Sequence, residues 1–297
     1  MDLNWDDLRV FLHVARGEGL TAAARTLRLD PATVGRRIAR LEEVVGEALF
    51  LKSPQGYQLS DAGARYLPHA EAAEQAARAA GDALAGTTED LSGPVRIGAP
   101  DGCANYLLPS VCARMLDAHP ALELQIIALP RVINLSKREA DLAITVSPPE
   151  TGRLTVQKLA DYHLHLAGHR DLLARLPVAT RADIAAHRIV GYIPDMVFDR
   201  ELDYLTELGL DRAAVASNSV AVQLNLLRAG LGLGVVHDFA LPAAPDLTRV
   251  LRTDFALRRS FYIVRHADDQ KVVRLRRFTR IFNEFFRDEL ARLERDA

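Results

Sequence analysis

Asp30-Pro31 opens the segment that most constrains this chain. An Asp side chain can cap exposed helix amides, and a following Pro has no amide to leave unpaired at the first helical position. From Pro31 to about Val45 the chain reads as a helix that Gly46 closes. Two stripes run along it. Val34, Ile38, Leu41 and Val45 recur at helical spacing and predict a buried face. Thr33, Arg36, Arg37 and Arg40 form a second stripe, rotated by roughly 110° at about 100° per residue. Burying the first presents the second outward.

The flanking segments agree. Leu8, Phe11, Leu12 and Ala15 predict an amphipathic helix, capped by Asn4 and ended by Gly17-Glu18-Gly19. Thr21 is the expected cap of a short helix over 22–27, and Arg28-Leu29-Asp30 makes a tight turn into the next. Two helices joined by a short turn are helix-turn-helix geometry. Leu49-Phe50-Leu51 and Tyr57-Gln58-Leu59 then flank Lys52-Ser53-Pro54-Gln55-Gly56, a two-stranded wing. A charged stripe by itself is usually a solvated face. Here cap, short helix, turn and wing coincide, so the outward stripe is read as entering the major groove of double-stranded DNA, where Arg reads guanine with both arms. The candidate DNA contacts are Thr21, Arg25, Pro31, Thr33, Arg36, Arg37, Arg40, Lys52 and Pro54. Glu42, Glu43 and Glu47 fall where the helix would leave the groove.

Composition sets the frame. With 37 basic and 39 acidic residues the net charge is −2, so any basic surface must be local. A hydrophobic fraction of 49% with 26% charged residues excludes a disordered or fibrous chain. The 297 residues suggest about two domains at ~150 residues each. No apolar run reaches the ~18 residues of a membrane span. The acidic start, Met1 to Asp7, lacks a signal-peptide core, and two cysteines suit a reducing compartment. A cytoplasmic protein with no membrane partner is expected.

At these residues the chain resembles the LysR-type transcriptional regulators. The match runs through Phe11-Leu12-His13-Val14-Ala15, Thr21-Ala22-Ala23-Ala24, 31–38, Leu41-Glu42-Glu43, Gly46, Leu49-Phe50, Leu59-Ser60 and Ala62-Gly63. Weaker similarity continues through Leu107-Leu108-Pro109, His119-Pro120, Asp141-Leu142-Ala143-Ile144 and 229–234. Two positions depart from the pattern. Gly35 stands where that family usually has a helix serine, and Lys52 where it usually has arginine. The first costs helix propensity of about 1 kcal/mol relative to Ala; the second loses a bidentate fork.

Residues 66–84 place Tyr66, Ala70, Ala73, Ala77, Ala80 and Leu84 on a heptad seam. Spacing and resemblance together predict a dimer helix, against the plainer reading of a long helix lying on its own domain. A two-fold dimer would set two recognition helices on an inverted repeat, and the resemblance implies a tetramer. RNA polymerase is a further candidate partner.

The remainder alternates strand-like and helix-like segments: strands at 95–99, 122–129 and 141–146, a helix from Tyr106 to His119. The alternation predicts an α/β fold with largely parallel sheets. The resemblance implies a two-lobed α/β effector domain like a periplasmic binding protein. The expected organisation is α/β overall: an all-α winged helix-turn-helix over 1–60, a linker helix and hinge over 61–92, and an effector domain over 93–297. Lobe I would hold about 93–164 with 267–297, and lobe II about 165–266.

Ligands of such folds lie outside the carboxyl ends of strands, between lobes. That rule selects Asp101, Gly102, Cys103 and Ala104 after the first strand, Pro130 and Arg131 near the second, and Thr145 and Val146 after the third. From the other lobe it selects Tyr192 and Phe198, then Asn218, Ser219 and Val220, then His237. Each is equally explained as a loop or cap residue. An ionised Asp101 would repel an anionic ligand by ~4 kcal/mol at about 4 Å, so the effector is expected to be neutral or cationic unless Arg131 compensates.

Cys103 and Cys112 raise a redox alternative. On one straight helix they would stand ~13.5 Å apart, too far for a disulfide, and small buried hydrophobes are the expected reading. Enzyme readings are weaker. His169-Arg170-Asp171-Leu172 imitates a kinase loop but has Leu176 where asparagine belongs, and Gly230-Leu231-Gly232-Leu233-Gly234 follows a helix rather than a strand. A hydrolase built on Cys103, His237 and Asp238, or a solute-binding protein, is a remoter alternative. No catalytic residue, metal site or cofactor is expected.

Overall fold

Helix α1 (Trp5–Gly17) begins where Asn4 Oδ1 accepts the Asp6 amide at 2.8 Å. The computed structural model describes residues 3–17, 19–53, 56–84, 91–128, 140–149, 152–267, 269 and 272–297. The chain divides into two units, Met1–Thr87 and Thr88–Ala297.

In the first unit, α2 (Leu20–Leu27) starts at Gly19 without a side-chain cap. The expected cap, Thr21, instead lies exposed in the first turn. Arg28 ends α2 in the left-handed region, at φ 54°, and its amide donates to the Ala24 and Arg25 carbonyls. Helix α3 (Pro31–Val45) starts as the sequence predicts: Asp30 accepts the Thr33 amide at 2.8 Å and Pro31 fills the first turn. Gly46 closes it at φ 76°. Strands β1 (Phe50–Ser53) and β2 (Gly56–Leu59) pair antiparallel, with Phe50 opposite Leu59. Leu12, Val14, Val34, Ile38 and Leu41 bury their side chains around Phe11, whose ring lies 5.2 Å from both Phe50 and Tyr66. Each such burial contributes about 1.5–3 kcal/mol before chain entropy is counted.

Helix α4 (Asp61–Leu84) carries the alanine-rich seam. Its first half is spent inside this unit: Tyr66 packs on Phe11, Ala70 is 1% exposed and Ala73 is partly buried. Arg16 on α1 donates to Glu74 at 2.7 Å. Ala77 and Ala80 are exposed. The side chain of Leu84 lies outside the described residues.

The second unit begins with β3 (Gly93–Ala99), α5 (Asp101–Tyr106), α6 (Leu108–Ala118) and β4 (Leu122–Ala128). The helix expected over 106–119 is α6, and the short α5, starting at Asp101, precedes it. Pro109 has no amide to return to the preceding turn, so the helix breaks at Leu107. There follow β5 (Leu142–Thr145), β6 (Leu154–His169), α7 (Arg170–Arg175), β7 (Val190–Gly191), α8 (Tyr204–Leu208), β8 (Val215–Ala216) and α9 (Val220–Arg228). Strands β9 (Leu233–His237), β10 (Leu247–Val250) and β11 (Ala256–His266) precede α10 (Val273–Arg295). The main sheet runs β10-β6-β11-β5-β3-β4, with β9 also on β6.

The expectation of largely parallel sheets needs correction. β3 is parallel to β4 and β5, and β7 to β8. β6 is antiparallel to β9, β10 and β11, and β11 is antiparallel to β5. β6 carries the chain from the first lobe to the second and β11 brings it back, so two neighbouring crossing strands must run opposite ways. The expected lobe boundary at 164/165 falls inside β6, which is continuous over 154–169. Among the described residues no helix is long and apolar enough to cross a membrane.

Candidate nucleic-acid interface and effector site

The outward face of α3 is assembled from its own cap. Asp30 accepts both the Thr33 amide and the Thr33 hydroxyl, and Arg36 donates to the same hydroxyl at 2.9 Å. These hydrogen bonds hold the Asp30 carboxyl below the usual carboxylate range. Pro31, Arg36 and, on the preceding helix, Thr21 and Arg25 are exposed. An exposed threonine–arginine surface at a helix N-terminus can meet phosphate oxygens and base edges together.

Two arginines behave differently from the sequence expectation. By spacing Arg40 belongs to the outward stripe, but its Nε and Nη2 both bond the carboxylate of Asp7 on α1 at 2.5 Å. Asp7 is 2% exposed, and a buried carboxylate requires a counter-ion. Arg40 therefore closes the α1–α3 contact. Arg37 lies 3.4 Å from Asp6. Of the wing residues, Pro54 and the side chain of Lys52 lie outside the described residues. Sequence reading missed Glu42: its Oε1 accepts the Leu49 and Phe50 amides at 2.8 and 3.1 Å and ties the wing to α3. An acid seven residues before a buried Leu-Phe pair is the only local trace of that contact.

In the second unit the predicted cleft residues separate into three groups. The first is brought together across the lobes. Asp101, at the start of α5, accepts the Ser219 hydroxyl and the Ala221 amide on Oδ2, both at 3.1 Å. Asn105 donates to its Oδ1 at 3.1 Å. Beside it Gly102 faces Val220: a Cβ there would stand 3.2 Å from Val220 Cγ1. Ser219 caps α9 by accepting the Val222 amide, and Asn218 is half-buried in the loop before it. Thr145 donates to the Ser147 carbonyl at 2.7 Å, next to buried Val146, and Ser147 donates to Asp199 of the opposite lobe. Asp199 was not foreseen; its role as the cap of the 200–202 turn is a legible signal for position, not for its reach across the cleft.

The second group lines a cavity of about 510 Å³. Tyr192 and Phe198 stand on its wall with Tyr204, Leu205 and Val235, and Asp199, Arg200, Asp203 and Asp211 are among its polar lining residues. All of its lining residues fall within 190–235, that is, in one lobe. Burial pushes the Tyr192 hydroxyl well above its ordinary range, helped by the charge of Asp101. Arg259 on β11 braces this wall, with Nε 2.8 Å from Glu201 and Nη2 2.7 Å from Glu207.

The third group faces elsewhere. His237 is 5% exposed, stacked on Tyr162 at 5.6 Å with Tyr204 and Phe239 beside it. Burial lowers its pKa to about 4, so it is a neutral core residue and not a cleft group. Cys103 is buried in the lobe core, with half-buried Ala104 next to it, and its thiol is pushed well above the ordinary value by burial and by Cys112. Cys112 is raised to about 11 by burial. The two sit on separate helices, α5 and α6, so the straight-helix spacing does not apply. Pro130 and Arg131 lie outside the described residues.

Comparison with known proteins covers both units. The model for the bacterial regulatory helix-turn-helix protein, lysR family, matches residues 5–64, and that for the LysR substrate binding domain matches 88–287. A probable hydrogen peroxide-inducible genes activator of Mycobacterium avium is 30% identical over 265 residues, 85% of this chain and 83% of that one. The regulator DgdR of Burkholderia cepacia is 29% identical over 249 residues, 81% of this chain and 80% of that one. Among solved structures, a full-length OxyR variant from Pseudomonas aeruginosa aligns with TM-score 0.72 at 17% identity, covering 96% of this chain and 95% of that one.

Proposed function

The chain belongs to the LysR-type transcriptional regulators, DNA-binding proteins whose promoter binding a small-molecule effector modulates, and we propose how its own residues divide that work. Arg36 and Thr33 at the α3 N-terminus, with Thr21, Pro31 and Arg25, make the DNA contacts. Arg37 reaches phosphate from its looser pair with Asp6, while Arg40 holds α3 in place. Lys52 and Pro54 on the wing complete the set. The carrying observation is the Asp30-capped N-terminus, which presents Thr33 and Arg36 together on an exposed face. A gel shift on the gene's own upstream DNA tests it. Arg36→Ala should lose about 1–3 kcal/mol of specific binding if it reads a base, and binding should weaken steeply with salt as counterions are released. Unchanged operator affinity in Arg36→Ala and Arg25→Ala would remove the assignment.

The effector occupies the cavity behind Tyr192 and Phe198 and the cleft beside it, with Thr145, Val146 and Asn218 at the margin. A ring-lined wall suits an apolar body, and the excess of Asp199, Asp203 and Asp211 over Arg200 favours a neutral or cationic molecule. Calorimetric titration with small-molecule panels tests this; tight binding of a dicarboxylate in the cavity defeats it. The effector acts by its differential affinity for two lobe arrangements. The protein works as an oligomer in the compartment that holds the promoter, as a dimer through α4 and a tetramer on DNA, and hands its signal to RNA polymerase. No catalytic role is assigned to the site.

A thiol-based response is the second reading, favoured by the peroxide-inducible description of the Mycobacterium avium relative. The thiols themselves weigh against it. Peroxide reacts with thiolate, and burial keeps Cys103 and Cys112 protonated at neutral pH. Rapid labelling of either cysteine in the folded protein at pH 7 would restore that reading.

A further inference from the structure

The clasp between Asp101 and α9 has a chemistry of its own. The first amides of a helix have no partner within it and carry partial positive charge, so they attract an acceptor-only anion. At α9 that acceptor is a side chain from the opposite lobe: Asp101 Oδ2 takes both the Ala221 amide and the Ser219 hydroxyl at 3.1 Å. Asn105 orients the carboxylate from its other oxygen. Ser219 is a relay, donating to Asp101 while accepting from the Val222 amide at 3.3 Å. Gly102 lets the two helices touch, since a Cβ there would lie 3.2–3.4 Å from three carbons of Val220. A second hydroxyl–carboxylate pair, Ser147 with Asp199, spans the same lobes.

We propose that Asp101 is a built-in substitute for an anionic ligand: its carboxylate clasps the first lobe onto the α9 N-terminus, and a small free carboxylate reaches that position only when Asp101 is absent. This deepens the effector-site reading above, but it concerns a position outside the cavity and its test involves no DNA. The consequence for recognition is exclusion. An effector with a carboxylate at this end of the cleft must displace a tethered competitor, whereas one without it can bind with the clasp intact.

Hydrogen exchange of the full chain, read on peptides covering 219–228, tests the proposal, with acetate as probe. In Asp101→Ala the N-terminal turn of α9 should exchange about tenfold faster, as expected from losing one charge-assisted hydrogen bond. Acetate should restore the protection in that variant and leave the wild type unchanged. Asp101→Asn keeps one acceptor oxygen and fills the position, so it should exchange at an intermediate rate without acetate rescue; it also carries the test should Asp101→Ala fail to fold. Exchange equal to wild type in either variant overturns the clasp. Faster exchange in Asp101→Ala that acetate does not reverse, or acetate protection of the wild type, overturns the substitution of side chain for ligand. Loss of DNA binding in gel shifts would leave all of these outcomes standing.

Discussion

Two glycines of the first unit have opposite reasons for being glycine. At Gly35, in the middle of α3, a Cβ would meet only Leu20 Cδ1 at 3.5 Å, an ordinary contact. Gly35→Ala should therefore raise the unit's stability by about 1 kcal/mol, measured by denaturant unfolding. At Gly63 a Cβ would stand 2.1 Å from the Leu49 carbonyl oxygen, so Gly63→Ala should unseat the start of α4 and lower the midpoint. The motif Leu59-Ser60 with Ala62-Gly63 now has a mechanism: Ser60 donates to the Ala48 carbonyl at 2.6 Å and accepts the Gly63 amide at 2.9 Å. His237 supplies the pH prediction. The unfolded ring takes up a proton below about pH 6.5, the folded one only below about 4. The unfolded state thus binds more protons in that window, so stability is full above it and falls as pH drops through it, by up to ~3 kcal/mol. His237→Phe should flatten that part of the stability–pH curve; an unchanged curve would contradict the neutral buried ring.

At the scale of elements, α3 and the wing act as one piece. Glu42 takes the amides of Leu49 and Phe50, both buried residues, at the start of β1. Glu42→Ala should cost about 1.5–3 kcal/mol and loosen β1 in hydrogen exchange more than α1. The helix boundaries around Pro31 and Gly46 were legible because caps are local chemistry. The α2 start was not: Thr21 has the right residue type, but Leu20 buries part of its side chain against the core and extends the helix back to Gly19. The split between α5 and α6 was written in Pro109. The direction of β6 and β11 was not, since it depends on which strands meet after long excursions of chain.

Across the whole molecule, the alanine seam of α4 serves two purposes in sequence. Tyr66, Ala70 and Ala73 complete the first unit, and Ala77 and Ala80 are exposed, where the proposed dimer contact would form. Ala77→Arg should shift sedimentation toward smaller species without lowering the unfolding midpoint of the first unit; an unchanged mass would place the dimer contact elsewhere. The second unit distributes its charges so that carboxylates are spent inside: Asp101 on α9, Asp199 on Ser147, Asp238 between His165 and Arg249.

The amino-acid sequence alone determined what neighbours within a few residues can enforce: the Asp30-Pro31 helix start, the two stripes of α3, the wing, the alternation of strand and helix, and with them the regulator family. Tertiary structure decided which charges are free. Asp7 became buried and took Arg40 as its partner; Asp101 met Ser219, 118 residues away, in a contact between lobes that no spacing rule foretells. The physical reason is range. Caps, turns and periodicity act over a few residues, whereas a buried carboxylate takes whichever donor folding brings within about 3 Å.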